Sequence, residues 1–144
     1  MFQDLLKRLI QPDPAPIADA DARLALTALL VRVARSDNDY SGDERALIDQ
    51  IAQERYALSS NDASALRAEA EAMEAEAPDT VRFTRAIKDA VPYEDRLGVI
   101  AALWKVVLAD GKRAQEEDAL LRLVANLLGV TDQDSARVRQ QVAG

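Results

Sequence analysis

Residues 24–52 read LALTALLVRVARSDNDYSGDERALIDQIA, and residues 97–125 read LGVIAALWKVVLADGKRAQEEDALLRLVA. The two stretches align without gaps at an offset of 73, with nine of 29 positions identical. The identities fall where a helical hairpin needs them. Leu24, Ala28, Leu30 and Val33 match Leu97, Ala101, Leu103 and Val106 along an apolar run. Asp37 matches Asp110, Glu44 matches Glu117, and Ala46, Leu47 and Ala52 match Ala119, Leu120 and Ala125. Each copy therefore reads as helix, acidic turn, helix, and the pair as an internal duplication. Two such hairpins are expected to pack about a pseudo-two-fold axis, with the other helices filling in.

Working outward, the apolar spacing predicts further helices on both sides. Residues 22–36 are apolar nearly all round, which marks a helix buried on most sides. Residues 43–57 carry a narrower stripe at Leu47, Ile48, Ile51 and Ala52. Ser59 to Asp62 offer N-caps for a helix to about 76 with Leu66, Ala70 and Met73 inward, and Pro78 ends it. Asp79 or Thr80 opens the next, with Val81, Phe83, Ile87 and Val91 toward the core. Pro92 suits a first turn, with Glu94 and Asp95 at the positive end of the helix dipole. Trp104 sits on that helix as a core anchor. Gly129 suits the residue after a helix end, and Thr131 caps a short last helix with Val138 and Val142 inward. No alternating stretch of strand length stands out. The expected fold is all-α: a bundle of seven or eight helices.

The N-terminal segment is set apart. Phe2, Leu5, Leu6, Leu9 and Ile10 share one helical face, and Gln-Pro-Asp-Pro-Ala-Pro follows at 11–16. Prolines at alternate positions forbid a helix there and favour an extended linker. Residues 1–19 thus read as an amphipathic arm and linker, and 20–144 as the helical domain. The arm either folds back over a groove on that domain or makes a peripheral contact with a membrane or partner through residues 2–10. Only Lys7 and Arg8 accompany its apolar face, which favours folding back.

Composition narrows the function. The chain of 144 residues carries 25 acidic and 18 basic side chains, for a net charge of −7, and has no Cys and no His. Nucleic acid and anionic lipid need a basic face, so neither is an expected partner. Disulfides, thiol nucleophiles, imidazole bases and the usual zinc sites are excluded. A metal site would have to be all oxygen, which points to calcium (Ca2+) or another hard divalent cation. The start of the chain is too short and too charged for a signal peptide, and no run has the length of a membrane span. The expected location is the cytoplasm.

The two turns carry the chemistry. Glu44 and Glu117 fall in the first turn of a helix, where the dipole favours a carboxylate, and Ser41 with Glu44 forms a Ser-x-x-Glu capping box. Asp37 and Asp110 follow a helix C-terminus, where a negative charge opposes the dipole. Backbone N–H groups, a basic side chain or a cation must offset that. In the cation reading the ligands are Asp37, Asp39 and Glu44, and separately or jointly Asp110 and Glu117. In the alternative reading the same residues only punctuate the helices. Residues 37–42 match the first six positions of an EF-hand loop, but position twelve is Ile48 instead of a bidentate Glu, so a true EF-hand is not expected. Paired carboxylates could also serve a hydrolase, yet no nucleophile or oxyanion donor accompanies them. No catalytic residue is assigned.

Three segments resemble the tellurite-resistance TerB family: Leu29 to Asp37 with Glu44, Arg82 to Ile87, and Leu103 to Gly111 with Glu117. The resemblance runs over about 20–135 and is strongest to a stand-alone bacterial branch with a similar N-terminal arm. It implies a TerB-type helical fold, shared with the N-terminal domain of certain membrane-tethered J-domain co-chaperones. It also implies a link to metal or oxyanion stress, and no established catalytic activity. Family metal-ligand candidates carry over only to Asp37, Glu44, Asp110 and Glu117. The chain departs from the pattern at Asn38, often Gly in the family, and at Arg113, often apolar. The expected role is a stress-response adaptor or sensor that binds a protein partner. The alternative is an interaction module with no metal site.

Overall fold

A computed structural model describes residues 2–10, 19–36, 40–109 and 115–143. Among them are eight helices and no strand: α1 Phe2–Ile10, α2 Asp19–Ala34, α3 Gly42–Tyr56, α4 Ser60–Glu76, α5 Thr80–Ala90, α6 Tyr93–Ala109, α7 Gln115–Leu127 and α8 Asp132–Ala143. The all-α architecture is as expected. The Pro-rich linker at 11–16 lies outside the described residues.

Helix α2 is buried on nearly every side, with Ala25, Ala28, Leu29, Val31, Val33 and Ala34 all inaccessible. It packs against α4 most extensively, and also against α6, α3 and α5. The first helix of each hairpin touches the second helix of the other: α2 meets α7, and α3 meets α6. A pseudo-two-fold relation requires that reciprocity. Helix α1 lays Leu5, Leu6 and Leu9 into the core and packs on α5 and α4. These three leucines of its apolar stripe are therefore covered. Phe83 and Ile87 are fully buried as expected, whereas Val81 is only half-buried.

The duplication is longer than the ungapped match. The heaviest contacts outside the hairpins are α4 on α2 and α8 on α6, so each unit is three helices, α2–α3–α4 and α6–α7–α8. The joints between second and third helices match at an offset of 72. Ala57 and Gly129 both adopt the left-handed backbone, at φ 53° and 76°. The next amide donates back to the preceding helix in each: Leu58 N to Gln53 O at 3.3 Å and Val130 N to Ala125 O at 2.9 Å. A Schellman-type end has this pattern. Ser59 Oγ then accepts from Asp62 N, and Thr131 Oγ1 from Asp134 N, both at 3.1 Å. One deleted residue breaks the register and conceals this second half of the repeat.

The joints differ in strain, and that can be measured. Left-handed backbone costs a residue with a Cβ about 1–2 kcal/mol, against about 0.5–1 kcal/mol for the extra chain entropy of glycine. Ala57→Gly is expected to stabilise the protein by about 0.5 kcal/mol. Gly129→Ala is expected to destabilise it by about 1–2 kcal/mol. There a Cβ would also meet Lys88 Cε at 3.0 Å and Arg96 Nη1 at 3.2 Å. Urea denaturation of both variants reads the opposite signs.

Candidate functional site

The first turn is built by how α2 stops and α3 starts. Arg35 N donates to Val31 O at 2.9 Å, and Ser36 bonds Val33 O through its amide at 3.2 Å and its hydroxyl at 2.7 Å. These bonds satisfy two of the last four carbonyls of the helix. Asp37 and Asp39 lie outside the described residues. The chain is described again at Tyr40, whose ring is flanked by two guanidiniums, Arg45 at 4.8 Å and Arg35 at 6.0 Å from the centroid. Burial and then the nearby Glu71 carboxylate push the Tyr40 phenol well up, so it stays protonated.

Helix α3 opens with the expected capping box. Glu44 N donates to Ser41 Oγ at 3.1 Å, and Ser41 N donates to Glu44 Oε1 at 3.2 Å. Glu44 therefore serves the helix start, as its sequence position indicated. Beside it runs an open groove of about 490 Å³, lined by Ser41, by Asp43, Glu44, Leu47 and Gln50 from α3 and by Val106 from α6. Val106 lies one turn from the end of α6, and Asp110 follows that helix in sequence. Asp110 is outside the described residues. Glu117 is the third residue of α7, and its side chain is outside them too. Among the described residues no group of three or more acidic side chains is placed to hold a metal.

An arginine belt on the α2–α3–α4 unit was not anticipated. Arg32 donates from Nε to Glu74 Oε1 at 3.1 Å, from Nη1 to Pro78 O at 2.8 Å and from Nη2 to Glu74 O at 3.2 Å. Arg35 reaches the other Glu74 oxygen at 3.1 Å. Arg67 pairs with Asp49 at 2.6 Å and with Glu71 at 3.1 Å, and Arg45 approaches Glu71 at 3.9 Å. Burial pulls the Arg67 pKa down, and these carboxylates more than reverse it. The belt ties the last turn of α2 and the start of α3 to α4, so the acidic turn springs from two anchored helix ends. Arg32 and Arg35 at helical spacing were the available signal. Their acceptors, 39 to 46 residues away, had none.

The family model described as Tellurite resistance protein TerB matches residues 23–140, most of the chain. The chain belongs to the TerB family. The TerB match begins within α2 and ends within α8, so it spans both three-helix units and α5 between them. TerB is not a known enzyme family. Comparison with curated proteins and with solved structures yields no match. No helix among the described residues of this TerB chain is long and apolar enough to cross a membrane.

Proposed function

We propose that this TerB-family protein is a non-catalytic, cytoplasmic adaptor or sensor of metal or oxyanion stress, which binds a protein partner and a hard divalent cation through its acidic turns. Asp37, Asp39 and Glu44 supply one ligand set, and Asp110 and Glu117, separately or jointly with it, supply the other. The observation that carries this reading is that groove. The start of α3 and the last turn of α6 line it together, so the helix ends that bear the two turns open on one space. Carboxylates from both turns suit calcium, which takes six to eight oxygen ligands in adaptable geometry. A carboxylate offers about four lone-pair sites, so the Ser41 cap and a cation bond at Glu44 are compatible. Partner binding would then respond to how the cation orders the turns.

A second reading, with structural turns and no ion, is favoured by the capping box of Glu44. Thermal denaturation separates the two. Calcium at about a hundredfold over its dissociation constant adds about 2.7 kcal/mol to folding stability, which for a domain of this size is a rise in Tm of about 8 °C. Asp37→Asn is expected to abolish most of that rise. An unchanged Tm in millimolar calcium, magnesium and manganese would leave only the structural reading.

A further inference from the structure

The two three-helix units provide an internal comparison at a second place, away from the acidic turns. In the first unit Arg67 of α4 pairs with Asp49 of α3 at 2.6 Å, and Ser64 Oγ donates to the same carboxylate at 3.1 Å. Arg139 of α8 is the counterpart of Arg67, at the offset of 72 that matches the joints. Its surroundings are inverted. The position of Asp49 is held by Arg122, that of Ser64 by Ala136, and that of Val31 by Trp104. The internal carboxylate and its hydroxyl donor are both gone. In their place is a pocket of about 330 Å³, lined by Trp104, Arg122, Ser135, Ala136 and Arg139, with Asp132 also on its wall. Trp104 Nε1 donates to Ser135 Oγ at 3.1 Å, which fixes the indole. The Arg139 guanidinium lies 5.4 Å from the Trp104 ring centroid. Its Nε is buried and has no hydrogen-bond partner among the described residues.

We propose that this pocket takes a carboxylate from outside the chain, seated on Arg139 and against the Trp104 ring, in the place that Asp49 fills in the first unit. A buried guanidinium N–H without an acceptor is costly, and a carboxylate is its best-matched partner. The indole supplies an apolar wall for the carbon body of the ligand. The carboxylate comes either from a small organic acid or from an acidic side chain of a partner protein.

Trp104 is the only tryptophan of the chain, so its fluorescence reports on the pocket directly. The wild type is titrated with glutarate and with a blocked hexaglutamate peptide, against sodium chloride at matched ionic strength. A saturable change with either probe is expected. Response to glutarate identifies a small acid as sufficient, and response to the peptide alone identifies an acidic partner segment. Arg139→Gln, shown folded by circular dichroism, is expected to bind about tenfold more weakly or worse. Arg122→Asp restores the acid found in the first unit. It is expected to keep or raise Tm while abolishing the response. No saturable response to either probe, or unchanged binding in Arg122→Asp, would overturn the proposal.

Discussion

Phe83→Ala is expected to destabilise the protein by about 3–5 kcal/mol, the range for emptying an aromatic site in a packed core. Phe83 is fully buried on α5, the helix that links the two three-helix units in sequence. That helix packs against α1, α2 and α7, so it closes the space left between the two units and the N-terminal helix. The loss is also electrostatic. The Arg32 guanidinium lies 5.3 Å from the Phe83 centroid, and the ring face is part of its surroundings. Urea denaturation with an unchanged m-value would assign the effect to the folded state. A loss below about 1 kcal/mol would mean that the site collapses, and that α5 is a cover instead of a core element.

Arg32→Ala is expected to cost about 3 kcal/mol. Arg32 and Glu74 are each only 13 % exposed, and removing one member of a buried pair leaves the other poorly compensated. Arg35 still reaches Glu74, which holds the cost at the low end of the range for such breaks. The Pro78 carbonyl loses its Arg32 donor as well, the Glu74 carbonyl keeps only the Ala77 amide, and the tie between the ends of α2 and α4 is weakened. Arg32→Lys is expected to recover less than half. One ammonium cannot reproduce the planar set of N–H groups that meets a carboxylate and two carbonyls. Because Arg32 touches Phe83, the double variant should lose less than the sum of the two single losses. Strict additivity would show that the ring contact contributes nothing.

Much of the fold was legible because helices carry their evidence locally. Apolar spacing marked the core faces, and Ser41, Ser59, Asp79 and Thr131 announced helix starts that the structure contains. Burial of Trp104 followed from the same spacing, and folding back of α1 from the few basic residues beside its apolar face. The third helix of each unit was read as a helix but not as part of the repeat, because a single-residue deletion after residue 52 shifts the register. The Leu58-Ser59…Asp62 and Val130-Thr131…Asp134 pairs align only at the new offset. The arginine belt was illegible for a different reason. Which carboxylate meets Arg32 or Arg67 depends on how α2, α3 and α4 cross, and that is set by packing of the whole bundle. The capping role of Glu44 was legible, since a capping box is a local device.

The proposed sharing of one cation by the two acidic turns is open to a direct distance measurement. The chain has no cysteine, so Asn38→Cys with Lys112→Cys places a single pair of spin labels, one beside each aspartate. Sharing requires one short inter-label distance by pulsed electron paramagnetic resonance, whose distribution narrows when calcium is added. A long separation, or a broad distribution that calcium leaves unchanged, would contradict it.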